Sequence, residues 1–385
     1  MRDTFLEFSP PCLGEEEIAE VVDTLRSGWI TTGPKVGRFE GEFASAVGAE
    51  SALAVSSATD AMQVGLAAAG VGPGDEVITT PMTFSSTAHV IEHMGATPVL
   101  VDVEPETLCI DPDKIESAIT TRTKAILPVH LYGHPCEMGR ILDLARANEL
   151  LVLEDAAHAP PAVYEGQSVG SIGDLTAFSF YATKNLTTGE GGMLTGGAEL
   201  IDIARPWALH GMTRDVLSRY REEGSWYYEV VLPGFKCNMT DIQAALGLQQ
   251  LRRLPGFQER RRAVAERYAQ ALAELPEIEI PVEQDGCESA WHIYAIRLRL
   301  ERLRIDRDRF IEEMTRRKIG TSVHFIPVHL HPYYRDKYGF RPEDFPVTWE
   351  SYRRLVSLPL HPGLTERDVE DVIEAVADVV ARFRR

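Results

Sequence analysis

The chain is poor in the features that staple a small fold or anchor one in a membrane. Its 385 residues include only five cysteines, Cys12, Cys109, Cys136, Cys237 and Cys287. They are scattered and never form a Cys-x-x-Cys pair, so neither a disulfide framework nor a zinc ribbon is supported. Reduced thiols in a cytosol fit that usage. His130, His134 and Cys136 lie close in sequence, but His134-Pro135 forces a turn and no second ligand cluster follows, so no metal is expected. The opening residues carry no apolar signal core and no later run reaches the length of a membrane span, so the expectation is a cytoplasmic protein with no membrane contact. Positive charge is also scarce: 39 Lys and Arg stand against 58 Asp and Glu, a net charge of −19. Such a field repels nucleic acid, and any anionic ligand has to be held by local donors.

What is present is an ordinary globular balance, 44% hydrophobic and 25% charged, without repeats or low-complexity blocks. A chain of this length predicts two domains. From about residue 39 to 200, short apolar runs alternate with helical patterns, as in a mainly parallel sheet covered by helices on both faces. The runs are 52–55, 76–79, 97–101, 125–129, 151–154, 177–180 and 192–195, with helices such as 59–69 and 138–148 between them. From about Asp241 a long helical stretch to Glu274 follows, with a possible break at Pro255-Gly256. A smaller α+β domain then reads as strand 290–300, helix 308–318, strand 321–325 and a last helix opened by Thr365-Glu366-Arg367-Asp368. In that helix Val369, Val372, Ile373, Val376 and Val380 repeat at helical spacing. Arg260-Arg261-Arg262 reads as a solvated helix face. The expected division is a large domain over 1–245 and a small one over 246–385.

In an open parallel sheet, ligands bind beyond the carboxyl ends of the strands, so the polar residues there carry the chemistry. Lys184 follows the apolar run Phe178-Ser179-Phe180 and precedes the turn Gly189-Glu190-Gly191-Gly192, where backbone without side chains approaches a ligand closely. Alone, such a lysine most simply reaches out to solvent. Burial would instead lower its pKa and make it a nucleophile toward carbonyls, as a Schiff base requires. Ser56-Ser57-Ala58-Thr59-Asp60 opens a helix and offers free N–H groups to a phosphate. Glu154-Asp155-Ala156-Ala157-His158 ends a strand in a carboxylate, with a histidine three residues on, and Phe84 follows the second strand. A lysine, a carboxylate for a ring nitrogen, a phosphate cradle and a stacking ring are what pyridoxal phosphate asks of a protein.

These runs, with Gly72-Pro73-Gly74-Asp75-Glu76-Val77-Ile78, Gly95-Ala96-Thr97-Pro98-Val99 and Gly234-Phe235-Lys236-Cys237-Asn238-Met239-Thr240-Asp241, resemble the DegT/DnrJ/StrS family of sugar aminotransferases over essentially the whole chain. Two positions depart from it: Cys136 falls where many members have Asp, and Cys237 where many have an aromatic. The resemblance implies an α/β fold of the pyridoxal phosphate-dependent transferase type I class, like aspartate aminotransferase. It implies that Lys184 forms the Schiff base and shuttles a proton, that Asp155 pairs with the pyridine nitrogen, and that His158 lies near the ring hydroxyl. Phe84 would stack on the ring, and Ala58, Thr59 and Ser179 would hold the phosphate. Asn238 would reach the phosphate of a neighbouring subunit, so a homodimer with shared sites is implied. Thr31, Thr32, Gly33, His324 and His329 match stretches that line the sugar site. The expected reaction takes an amino group from L-glutamate, through the pyridoxamine form, to a keto-sugar nucleotide, in look a UDP-4-keto-pentose or a related 4-keto-sugar. Lys35, Arg214, Arg219 and Arg221 are candidates for its diphosphate. The competing readings are a sugar dehydratase, whose relatives replace the lysine with histidine, and a non-catalytic regulator.

Overall fold

Seven short apolar strands form the central sheet: β1 (Ser51–Val55), β2 (Glu76–Thr79), β3 (Thr97–Leu100), β4 (Thr123–Ile126), β5 (Leu151–Asp155), β8 (Leu175–Ser179) and β9 (Gly192–Gly196). Two strands in between, β6 (Val163–Tyr164) and β7 (Gln167–Ser168), make a small hairpin outside it. This computed structural model describes residues 2–212 and 227–385. The sheet order is β1-β9-β8-β5-β4-β2-β3. Every neighbouring pair is parallel except those of β9, which runs antiparallel to both β1 and β8. Strands β2, β8 and β9 are buried throughout, as expected where helices cover both faces. Side-chain alternation divides the interior. Leu53, Val55, Leu175, Ala177 and Leu194 enter one core, while Ala52, Ala54, Phe178 and Met193 enter the other.

Three helices matter for the site: α1 (Glu15–Ser27), α2 (Pro34–Val47) and α3 (Ala58–Ala68), the last capped by Ser57 Oγ, which accepts from Asp60 N. Helices α4 (Ser86–His93), α5 (Pro112–Ala118), α6 (Met138–Ala147) and α7 (Ala198–Ala208) complete the large layer. The long helix α8 (Asp241–Leu272) starts with a capping box between Thr240 and Gln243 and crosses residue 245. Its first half, with Ala244 and Leu248, packs on the sheet, and its second half, with Val264, Tyr268 and Leu272, packs on the C-terminal core. The break expected at Pro255-Gly256 is absent. Leu254 and Phe257 are both buried on either side of the proline, and that anchoring outweighs the lost backbone bond.

In the C-terminal part β11 (Cys287–Glu288) pairs antiparallel with β6, and β12 (Tyr294–Leu298) lies between β10 (Ile278–Glu279) and β13 (Leu355–Leu358), both antiparallel to it. The strand expected over 290–300 is thus shorter. The one expected over 321–325 reduces to a bridge between Ser322 and Ser357, because His324 and Phe325 turn into the cavity described below. The terminal helix Glu366–Phe383 has the expected box, with Thr365 accepting from Asp368 N, and buries Val369, Val372, Val376 and Val380. Arg261 corrects the reading of a solvated basic face: it is buried, and its Nη1 donates to the carbonyls of Trp291, His292 and Leu360. A guanidinium offers enough donors to tie several carbonyls that would otherwise be stranded.

Candidate active site

The carboxyl ends of β1, β5 and β8, with the loop after β2, surround one cavity of about 390 Å³ lined by Ala58, Thr59, Phe84, Asp155, His158, Ser179 and Lys184. The first-turn N–H groups of α3 have no carbonyl one turn back to bond, which leaves Ala58 N and Thr59 N as open donors at the positive end of the helix. The reversed strand β9 is pressed against that turn. A Cβ added to Gly192 would lie 2.3 Å from the Ser57 carbonyl carbon and 2.7 Å from Ala58 N, so only glycine fits there.

Lys184 comes off the buried end of β8 in a turn closed by its own N–H on Tyr181 O at 2.9 Å. The loop is held by Phe180 N on Gly191 O at 2.8 Å and Thr188 N on Phe180 O at 2.9 Å. Burial pulls the Lys184 ammonium down to about 8, opposed by the attraction of Asp155. Asp155 is 4% exposed. Its Oδ2 accepts from Thr87 Oγ1 at 2.8 Å and its Oδ1 from Ala157 N at 3.1 Å. Thr87 is in turn joined to Thr83 Oγ1 at 2.7 Å. Burial pushes the Asp155 carboxyl up, while the two donors, Lys184 and His130 pull it down.

His158 Nδ1 accepts from Tyr132 N at 3.3 Å. Burial and the nearby Lys184 charge hold the ring well below the usual histidine range, so it is neutral with its hydrogen on Nε2, as assigned from this bond. Phe84 is 59% exposed and leans on Phe325 at 5.8 Å between ring centroids, while Phe325 stacks on His158 at 5.6 Å. It is a free aromatic face on the cavity and not a core residue. His324 also lines the cavity. Its Nδ1 meets Ser357 Oγ at 2.9 Å, and burial with the Lys184 charge takes its pKa down to about 4.

The remaining expected residues lie elsewhere. Thr31, Thr32 and Gly33 do not line this chain's cavity. Thr32 Oγ1 donates to Met239 O at 2.6 Å and also receives Asn238 Nδ2, and Asp241 N donates to Thr31 O at 3.0 Å. They form one ladder with Asn238 and Asp241 at the start of α8. His329 is a correction: it is fully buried against Phe345 at 4.8 Å, outside the cavity. Lys35 is a second one, since its Nζ is ion-paired to Glu20 at 2.7 Å and Asp23 at 2.9 Å and so is engaged within its own chain. Arg214, Arg219 and Arg221 lie outside the described residues. Of the trio near Cys136, His130 Nε2 meets Glu154 Oε2 at 2.8 Å and its Nδ1 accepts from Cys136 N at 3.0 Å. Among the described residues no cluster of His, Cys, Asp or Glu could hold a metal, and no helix is long and apolar enough to cross a membrane. Sequence reasoning missed Thr87, Tyr132 and His292. His292 sits inside an alternating run and so reads as a strand residue, and Tyr132 is marked only by a positive φ of 61°, which no pattern in the sequence announces.

A mainly parallel sheet that brings a lysine of lowered pKa, a buried carboxylate and an open helix start to one cavity defines the fold type I transferases, which work through a lysine-bound cofactor. Residues 11–377 match the DegT/DnrJ/EryC1/StrS aminotransferase family, and the chain belongs to it. It is 53% identical over 381 residues to SpsC, a spore coat polysaccharide biosynthesis protein of Bacillus subtilis (strain 168), covering 98% of each chain. It superimposes with a TM-score of 0.92 on the PMP-form of Spr1654 from Streptococcus pneumoniae, described as a sugar aminotransferase, at 38% identity over 98% of this chain and 99% of that one. Against the PLP-form of the same protein the TM-score is 0.91 at 37% identity, with 98% and 99% covered. PseC of Helicobacter pylori, an aminotransferase involved in the biosynthesis of pseudoaminic acid, gives 0.91 at 28% identity over 99% and 100%.

Proposed function

We propose that the protein is a cytoplasmic, pyridoxal phosphate-dependent aminotransferase that moves an amino group from L-glutamate to a keto-sugar nucleotide. The observation that carries this reading is the convergence of Lys184, Asp155 and the open start of α3 on one cavity. The residues fit the cofactor: the Gly192 contact leaves room for a phosphate against Ala58 N and Thr59 N, and Asp155 has only uncharged hydrogen-bond donors, which suits it to a protonated ring nitrogen. When bound, the cofactor supplies an electron sink for the carbon that loses a proton.

The chain's own residues would then divide the work. Ala58, Thr59 and Ser179 hold the phosphate, and Asn238 of the neighbouring subunit completes the cradle in a homodimer. Asp155 keeps the ring nitrogen protonated by electrostatic attraction, and Thr87 aims its carboxylate. His158 presents an Nε2 hydrogen to the ring oxygen. Phe84 covers one ring face and limits water. Lys184 is the nucleophile and then carries the proton between carbons, a task suited to an amine whose pKa lies near 8. In the test, L-glutamate is added to the pyridoxal phosphate-loaded protein and loss of the visible absorbance band is followed, after which a panel of UDP- and dTDP-keto-sugars is offered. The band is expected to fall and then return with one of the sugars. Indifference of the band to every amino donor would overturn the reading.

A further inference from the structure

His292 lines the same cavity as Lys184 and has no part in the roles above. Its ring is set by the residue next to that lysine. The Asn185 amide nitrogen donates to Pro160 O at 3.1 Å and to Ala290 O at 2.8 Å. Both of its hydrogens are thereby used, and Oδ1 is left as a pure acceptor. Since Oδ1 lies 3.0 Å from His292 Nδ1, the network assigns the hydrogen to Nδ1 and a lone pair to Nε2. His158 is fixed the opposite way, with its Nδ1 accepting from Tyr132 N. The two ring centroids are 4.5 Å apart and both residues line the cavity, one with an N–H and the other with a lone pair at Nε2.

The frame behind them is rigid. Tyr132 O accepts from His292 N at 2.9 Å, and Arg261 Nη1 reaches His292 O at 3.3 Å. Gly133 has φ 96°, and a Cβ there would fall 2.8 Å from His158 O and 3.2 Å from His292 N. The titratable groups around His292 are His158, Lys184, Arg261 and His324, all cations when charged, so with burial they keep the ring neutral. A Lys184 not joined to the cofactor needs an acceptor. Asp155 attracts it from beyond ion-pair distance, with its oxygens turned to Thr87 Oγ1 and Ala157 N, and Glu190 is exposed at the rim.

We propose that His292 Nε2 accepts a hydrogen bond from the Lys184 ammonium whenever that lysine is not joined to the cofactor, which makes His292 a positioning residue for the nucleophile. The inference rests on the pyridoxal phosphate reading. The test uses cofactor-free full-length protein and follows the visible band as pyridoxal phosphate is added, when the Lys184 amine condenses with the aldehyde and one water leaves. His292→Phe is expected to slow this linkage about tenfold near pH 7.5 and to shift its pH profile, with the affinity for the cofactor unchanged. His292→Gln, which keeps an acceptor, is expected to recover most of the rate. A wild-type linkage rate and pH profile in His292→Phe would overturn the proposal, as would equal slowing in both variants. If the phenylalanine variant does not fold, His292→Leu takes its place in the same comparison. Failure of the wild-type protein itself to develop the band overturns the functional reading instead.

Discussion

Two half-buried lysines, Lys35 and Lys184, show what turns an ammonium into a reagent. Both are withdrawn from water. Lys35, in the first turn of α2, meets Glu20 and Asp23 directly, and although burial alone would lower its pKa, those two partners raise it. Lys184 has burial without such closure, and the one carboxylate acting on it among the described residues, Asp155, leaves it at about 8. Burial therefore activates an amine only where the counter-charge is kept at a distance and given other hydrogen-bond partners. The two sites differ both in depth of burial, greater at Lys184, and in whether carboxylates close directly on the amine.

The comparison breaks most sharply if Lys184 proves dispensable. Lys184→Ala is expected to fold, to lack the visible band with pyridoxal phosphate and to lose about four orders of magnitude in turnover, measured by amino transfer from L-glutamate. Asp155→Ala is expected to keep the lysine linkage but to lose on the order of a hundredfold or more in kcat, because the ring nitrogen loses its electrostatic partner. Near-normal turnover there would remove Asp155 from the distant counter-charge role. Thr87→Val tests the step before it: without the 2.8 Å bond the carboxylate is no longer aimed, and about a tenfold fall in kcat with little change in KM is expected.

A smaller effect concerns the neutral histidines. In the unfolded chain a histidine titrates near 6.5, while burial holds His324 at about 4 in the fold. Between those values the unfolded state binds more protons, so stability is full above about pH 6.5 and declines as the pH falls toward 4. His324→Gln removes that proton uptake and is expected to flatten the acid limb by about 2 kcal/mol, read from denaturant unfolding at pH 7 and pH 4.5. An unchanged limb would mean that His324 is not held neutral.

The catalytic wall was legible because one rule places it: residues just beyond the carboxyl ends of strands that run the same way share a site, and Ala58, Asp155, His158, Ser179 and Lys184 all obey it. The sugar-side residues obey no such rule. His329 looks like His324 in sequence, yet one is packed under Phe345 and the other faces the cavity, a difference made by how the 319–330 segment turns and not by residue type. Thr32 is paired with Asn238 and Thr31 with Asp241 on this chain, so their use depends on a surface that a single sequence cannot display. Arg261 misled because a run of three arginines on a helix resembles a wet face, and only the carbonyls of Trp291, His292 and Leu360 reveal a buried anchor.

The mildest change closes the comparison from the other side. Lys35→Met leaves the carboxylate of Glu20, which is about one-fifth exposed, without its cation, and Gln249 Nε2 still donates to it at 2.7 Å. A partly exposed pair of this kind contributes about 1 kcal/mol, so the melting temperature is expected to fall by only about 1–2 °C. Against the effect of burial, Lys35 with Gln249 and Arg38 holds the Glu20 carboxyl below its ordinary range, so the loss should be present at pH 7 and vanish as the pH drops below the carboxylate range. Turnover with L-glutamate should stay at the wild-type level, because an ammonium already closed on two carboxylates has nothing left to offer a diphosphate. A rise in KM for the sugar nucleotide with an unchanged melting temperature would show the reverse, that Lys35 leaves Glu20 for the substrate.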